Sequence, residues 1–237
     1  MKKETRARVL AHGEIARGVY RLAVETKQVA APGCFYMIRA WEDEPLLSRP
    51  ISIAKQEDGV TEFLYLVVGR GTQLLSKVKV GLKITLVGPL GNGFPLESGK
   101  IALVGGGIGI APLIELSQAL DVPPDVFLGF RDETYGEEYF RAKEIYVATE
   151  SGAKGHKGFV TELFDAKEYD VIYACGPTPM LRALQHKVGD DAKLYLSLEA
   201  HMACGVGACI GCTVASGDTY KRVCKEGPVF LSQEVQL

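Results

Sequence analysis

Ile101-Ala-Leu-Val-Gly105-Gly-Gly-Ile-Gly109-Ile-Ala-Pro112-Leu-Ile-Glu-Leu116 is an apolar strand, a glycine-rich turn and the start of a helix. Pro112 suits the first helical turn, where its missing N–H costs nothing. The glycines do not follow G-x-G-x-x-G, so a strict dinucleotide fingerprint is absent. A glycine turn at the carboxyl end of a strand still places backbone N–H groups and a helix N-terminus where phosphates bind. Gly105, Gly106, Gly107, Ile108 and Gly109 are therefore candidate nucleotide-binding residues.

Downstream, Asp125-Val-Phe-Leu-Gly-Phe, Glu144-Ile-Tyr-Val-Ala-Thr, Asp170-Val-Ile-Tyr-Ala-Cys175 and Lys193-Leu-Tyr-Leu-Ser-Leu read as further strands. Helices are expected between them over Tyr135–Arg141, Phe159–Leu163 and Thr178–Lys187. Apolar strands alternating with helices predict a parallel sheet covered on both faces. Cys175-Gly176-Pro177-Thr-Pro-Met180 repeats the device of strand, tight turn and helix, and two such turns build a crevice for a ligand.

Upstream of Gly99 the pattern is different. Arg8-Val-Leu-Ala-His, Val19-Tyr-Arg-Leu-Ala-Val, Cys34-Phe-Tyr-Met-Ile-Arg, Glu62-Phe-Leu-Tyr-Leu-Val-Val and Leu82-Lys-Ile-Thr-Leu-Val are short β-branched or aromatic runs between Gly, Pro and Asp. They predict a small antiparallel barrel. Within it, Arg49-Pro50-Ile51-Ser52 sets an Arg and a Ser three apart on an extended X-Pro segment, able to reach one phosphate or a ring edge; alone it also fits a surface strand. Gly69-Arg-Gly71-Thr72 opens the one helical stretch of this region, whose first N–H groups suit a pyrophosphate.

The C-terminal part holds Cys204-Gly-Val-Gly-Ala-Cys209-Ile-Gly-Cys212 and, after eleven intervening residues, Cys224. The first three thiols have the C-x4-C-x2-C spacing of plant-type ferredoxins, and four thiolates hold a [2Fe–2S] cluster. Only Cys209-x2-Cys212 is a zinc-type knuckle. Two disulfides would need an oxidising compartment. Gly205, Gly207 and Gly211 stand where a loop wrapping a cluster must turn its N–H groups inward. His201, just before the loop, is a conceivable alternative ligand but is superfluous beside four Cys.

The bulk properties bound the rest. A chain of 237 residues, 47% hydrophobic and 24% charged, is long enough for two domains and a small third. A net charge of −2 argues against nucleic acid or anionic membrane as a general partner. Met1-Lys-Lys-Glu-Thr-Arg starts basic with no apolar stretch behind it, so a secretory leader is not expected. The apolar run Ile101–Ile114 is interrupted by glycines and too short to span a bilayer. Six Cys with four clustered suit a reducing, cytoplasmic setting.

Arg49-Pro-Ile-Ser52, Gly105-Gly-Gly-Ile-Gly-Ile-Ala-Pro112 and Cys175-Gly-Pro-Thr-Pro-Met180, in that order, resemble the ferredoxin–NADP reductase superfamily. With the cysteine segment and Cys224-Lys-Glu-Gly-Pro-Val-Phe230 appended, the whole chain resembles the electron-transfer subunits of class 1B dihydroorotate dehydrogenases. The resemblance implies an α+β multidomain protein: a flavin-binding antiparallel β-barrel over 1–97, a parallel-sheet NAD-binding domain over 98–197 and an iron–sulfur segment over 198–237. It implies that FAD contacts Arg49, Pro50, Ile51, Ser52, Leu64, Tyr65, Leu66, Gly71 and Thr72. It assigns NAD to Gly105–Gly109 and to Cys175, Gly176 and Pro177, and the cluster to Cys204, Cys209, Cys212 and Cys224.

The expected function is electron transfer between NAD+ and the FMN of a catalytic dihydroorotate dehydrogenase subunit, through [2Fe–2S] and FAD, in pyrimidine biosynthesis. The expected assembly is a heterotetramer with two copies of each chain. No substrate-oxidising residues are assigned to this chain. The alternative is a similar reductase subunit of a sulfide dehydrogenase, hydrogenase or ferredoxin:NADP oxidoreductase complex; in the last, an Asp is the first cluster ligand, where this sequence has Cys204. Ile51 departs from the wider reductase pattern, which often has an aromatic there. Arg131 suits an NADP 2′-phosphate, but Asp132 and Glu133 repel one, which tilts the expectation to NAD. Cys175 fits either a place near the nicotinamide or plain packing, and Cys34 is expected in the core. Val206, Ala208, Ile210 and the tail around Phe230 are expected to face a partner.

Overall fold

The computed structural model describes residues 4–237, so Met1-Lys-Lys, the basic start of the N-terminal segment, lies outside the described residues. Six antiparallel strands close a barrel: β1 (Glu4–Ala16), β2 (Val19–Glu25), β3 (Phe35–Arg39), β4 (Arg49–Glu57), β5 (Val60–Leu66) and β6 (Lys83–Leu90), in the order β1-β2-β5-β4-β3-β6. Alternation decides what goes inside. Val9, Leu22, Ile38, Ile53, Phe63 and Leu86 are fully buried in the barrel core, and Cys34 lies there as expected. A six-residue helix, α1 (Arg70–Leu75), follows β5.

The second unit begins with β7 (Ile101–Gly106), a 3-10 turn over Gly107–Ile110 and α2 (Ala111–Ala119), with Pro112 in the first turn of the helix. Then come β8 (Asp125–Phe130), β9 (Glu144–Thr149), β10 (His156–Lys157), β11 (Val171–Cys175), α3 (Thr178–Val188) and β12 (Lys193–Ser197). These strands are parallel, in the order β10-β9-β8-β7-β11-β12. Every residue of β7 and β11 is buried, as a sheet covered on both faces requires.

Two expected helices are not α-helices. Tyr135–Arg141 contains only a 3-10 turn, Glu137–Tyr139, because Gly136 takes a left-handed conformation before it and the chain runs extended from Phe140. Phe159–Leu163 likewise shrinks to Val160–Glu162, entered from an extended Phe159 and left through Leu163.

The C-terminal part forms a hairpin, β13 (Thr213–Ser216) and β14 (Thr219–Arg222), and one more strand, β15 (Val229–Leu231). β15 pairs antiparallel with β12 and completes a seven-stranded sheet. Phe230 is therefore 2% exposed and sits in the core with Leu196 and Cys224, which corrects the expectation that this part of the tail meets a partner. Among the described residues no helix is long and apolar enough to cross a membrane.

Candidate functional site

The four cysteines converge. The Cys209 thiol hydrogen-bonds Cys204, and the Cys224 thiol hydrogen-bonds Cys212. Backbone N–H groups point at the sulfurs: Val206 and Ala208 donate to Cys204 Sγ at 3.4 and 3.3 Å, Gly207 to Cys224 Sγ at 3.1 Å, and Cys224 N–H to Cys212 Sγ at 3.4 Å. Burial pushes the Cys204 thiol up, but the N–H groups of Val206, Cys209 and Ala208 and the Cys209 thiol together bring it down to about 6. Burial, then the Cys212 sulfur, raises Cys224 to about 12.

Among the described residues no three Cys, His, Asp or Glu side chains are grouped to hold a single metal ion. The thiols fall instead into two pairs, which suits two irons sharing four thiolates. His201 is exposed and outside this group. Gly205 and Gly207 have φ of 67° and 82°, as a loop turning inward needs. Gly211 does not; Ile210 takes the left-handed conformation instead, at φ 51°.

Sequence reasoning missed the brace behind this loop. Arg222 Nη1 donates to Gly207 O at 2.8 Å, while its Nε and Nη2 grip Glu226 at 3.0 and 2.5 Å. Asn92, on the segment after the barrel, donates to the carbonyls of Lys225 and Glu226. An Arg and a Glu four apart around a cysteine was the available signal.

On the barrel, Met37 pairs with Pro50 and Tyr36 with Ile51, so the Arg49–Ser52 segment lies beside β3. The Arg49 guanidinium occupies the space beside Gly71, where a Cβ would lie 2.5 Å from its Nε. It donates to Leu47 O at 2.5 Å, lies 5.6 Å from the Trp41 ring centroid and makes no ion pair with a carboxylate among the described residues. Arg49 and Gly71 thus come together with a cation left for an anionic group, while Ser52, three residues along the same strand and opposite Phe35, has a hydroxyl without a hydrogen bond among the described residues. The Thr72 hydroxyl is already used: it accepts from Val68 and Gly69 N–H and donates to Gly69 O.

Leu64, Tyr65 and Leu66 do not act together. Leu64 packs against Ala54, Ala111 and Ile114 between barrel and sheet, and Leu66 is exposed. Tyr65 points into the barrel, 2% exposed, its hydroxyl 2.9 Å from His12 Nε2. Its side chain leaves the candidate flavin set, and only its backbone remains available.

The two glycine turns meet at the carboxyl ends of β7 and β11. A Cβ on Gly109 would lie 2.6 Å from the carbonyl of Cys175, and one on Gly106 would lie 2.6 Å from Met180 Sδ and 2.9 Å from Pro177. The turns are interlocked by the absence of side chains, and Gly107, Ile108 and Pro177 keep access to solvent. Cys175 is buried, and burial, with the Glu199 charge, pushes its thiol far above the usual range.

A closed flavin-type barrel, a parallel sheet with paired glycine turns and a four-thiol loop define a reductase of the ferredoxin–NADP reductase kind with an added iron–sulfur segment. Residues 199–236 match the iron–sulfur cluster binding domain of dihydroorotate dehydrogenase B. The electron transfer subunit of dihydroorotate dehydrogenase B (NAD(+)) from Clostridium acetobutylicum is 43% identical, covering 100% of this chain and 98% of that one. The counterpart from Clostridium perfringens is 40% identical over 94% of each chain. The structure of NADH-dependent reduced ferredoxin–NADP oxidoreductase contains a chain that superposes with a TM-score of 0.89 at 30% identity, covering 100% of this chain and 91% of that one. The chain belongs to the family of dihydroorotate dehydrogenase B electron transfer subunits.

Proposed function

We propose that this chain passes electrons between NAD(H) and the FMN of a catalytic dihydroorotate dehydrogenase subunit, using FAD and a [2Fe–2S] cluster, in the cytosolic synthesis of pyrimidines. Residues 1–97 would serve the flavin, 98–197 the nucleotide and 198–237 the cluster. When bound, FAD supplies the exchange between hydride and single-electron chemistry, and the cluster supplies a one-electron relay.

The residues divide the work. Arg49 supplies the cation for the flavin pyrophosphate, and Ser52 offers its free hydroxyl to the flavin. Ile51 presents an aliphatic face where a ring would stack. Gly105–Gly109 with Gly176 and Pro177 offer backbone to the nicotinamide nucleotide, where side chains would block approach. Cys175, kept neutral by burial, packs rather than exchanging protons. The thiols of Cys204, Cys209, Cys212 and Cys224 hold the irons, and the N–H groups aimed at them favour their anionic form.

Val206 and Ile210 on the cluster loop are 42% and 68% exposed, and such apolar exposure beside a redox loop suits a docked partner. Two copies of each chain around a dimeric partner would close the assembly.

The observation that carries this reading is the pairing of four thiols under inward N–H groups. Its test is analysis of anaerobically prepared protein. The expected result is about two iron and two acid-labile sulfide per chain, with NADH bleaching a bound flavin. Zinc in place of iron, or a flavin unresponsive to NADH, would overturn it.

A further inference from the structure

The Gly207 carbonyl and the Ala208 N–H belong to one planar peptide unit, so a partner that fixes the oxygen also fixes where the N–H points. Arg222 Nη1 donates to that oxygen at 2.8 Å, and the Ala208 N–H donates to Cys204 Sγ at 3.3 Å. The adjoining peptide unit aims the Gly207 N–H at Cys224 Sγ, at 3.1 Å. One guanidinium therefore stands behind a backbone turn that reaches one thiol of each pair.

The guanidinium is itself fixed. Its Nε and Nη2 donate to the two carboxylate oxygens of Glu226, and Glu226 Oε2 also accepts the Arg222 backbone N–H at 2.7 Å. The N–H groups of Lys225 and Glu226 close the turn onto Arg222 O at 3.0 and 2.9 Å. Gly207 is buried, and the Lys225 stem lies over it, where a Cβ would come 2.5 Å from Lys225 Cδ. The Arg222 side chain is 30% exposed, so water and salt screen its charge only in part.

A carbonyl oxygen that accepts from a cation leaves the N–H of the same peptide more strongly polarised, and hydrogen bonds in such a chain reinforce one another. Donors aimed at thiolate sulfurs favour the electron-rich state of a cluster, because an added electron puts negative charge on those sulfurs. Glu226 opposes part of this. Its carboxylate meets another edge of the guanidinium, however, so the positive pole of the pair faces Gly207.

We infer that Arg222 is a positioning residue that sets the reduction potential of the cluster, by holding the Gly207–Ala208 peptide with its N–H on Cys204. The inference rests on the cluster reading proposed above. No bond is made or broken: one electron arrives from the flavin or an added reductant, and Arg222 changes how favourable its arrival is.

The test is titration of the cofactor-loaded protein with dithionite and redox mediators, following the iron–sulfur EPR signal, with iron counted per chain. Arg222→Gln removes the cation and its hold on Gly207. One-electron reduction should become on the order of tenfold less favourable, a potential about 59 mV lower. Glu226→Gln keeps an acceptor oxygen but uncovers the cation, and should shift the potential upward. A purely structural brace would lose iron and Tm in both variants and leave the remaining cluster at the parent's potential. That result, a potential equal to the parent's in either variant, or shifts of one sign in both would overturn the inference. If Arg222→Gln holds too little cluster to titrate, the sign of the Glu226→Gln shift decides. A parent chain without iron would overturn the cluster reading and this inference with it, whereas unmoved potentials beside a full iron content count against Arg222 alone.

Discussion

Met37 of β3 lies against Gly205 of the cysteine loop, so closely that a Cβ on Gly205 would sit 2.6 Å from Met37 Cγ. Met37 also pairs with Pro50 of the Arg49–Ser52 segment. One buried residue thus separates the four-thiol loop from the candidate flavin segment, and the distance between them is set by packing.

Gly205→Ala should disturb that contact. The left-handed conformation costs an alanine roughly 1–2 kcal/mol, and the overlap with Met37 adds to it. For a chain of this length each kcal/mol moves Tm by about 2–4 °C, so a fall of several degrees with less iron bound per chain is expected. Thermal melts and iron analysis check it; an unchanged iron content would mean that the contact is slack.

Arg49→Ala should lower flavin retention. A charge-assisted hydrogen bond is worth roughly 1.5–3 kcal/mol, and about 1.4 kcal/mol is one decade in affinity. At least about tenfold weaker FAD binding is expected by equilibrium dialysis. Iron content should not change.

Gly109→Ala should separate the two glycine turns, because the new Cβ would meet the Cys175 backbone and not a flexible side chain. Overpacking of this sort costs about 1–3 kcal/mol. Steady-state kinetics should show a raised KM for NADH with FAD content intact. Equal loss of both would place the glycine in general packing.

Glu115 on α2 accepts the Gln56 N–H of β4 at 2.8 Å and ties the sheet to the barrel. Burial raises its pKa, outweighing the hydrogen bonds from Gln56 that lower it. An acid whose pKa is raised by folding contributes stability below its unfolded pKa and loses it as pH rises through the folded value. Glu115→Gln keeps an acceptor without the charge. Its Tm relative to the parent should therefore rise as pH increases from below the ordinary carboxylate range to neutrality. A pH-independent difference would mean that the carboxyl is not strained by burial.

Val206→Glu tests the docking face. A charge on this exposed apolar residue should abolish co-purification with a catalytic subunit, while NADH still reduces the chain's own flavin. Loss of both together, or of neither, would place the interface elsewhere.

The sequence carried the barrel, the parallel sheet and the gathering of four cysteines in one segment because each rests on a short-range rule. Alternation marks strands such as Phe35–Arg39, and thiol spacing marks the cluster loop. It did not carry β15, since three residues after Gly227-Pro228 hold too little periodicity to reveal that they pair with β12, far away in the chain. Nor did it carry the inward turn of Tyr65, because Leu64-Tyr65-Leu66 is apolar on both faces and only closure of the barrel decides which one points in. The Arg222–Glu226 brace was hidden for a different reason: an Arg–Glu pair four apart is common on solvated helices, and here it lies in a turn.

The position of β15 bears on how such proteins can be recombined. Because the chain returns from the cysteine loop to supply the edge of the nucleotide sheet, the electron port is woven into its host. A chimera joined just before Cys204 would have to import a compatible sheet edge along with the new loop. The portable unit is accordingly the loop with its hairpin, Cys224 and the Arg222–Glu226 brace, residues 204–226, grafted between anchors that stay behind, and inheritance of a different port would proceed by changes within that insert while the rim of the sheet is kept.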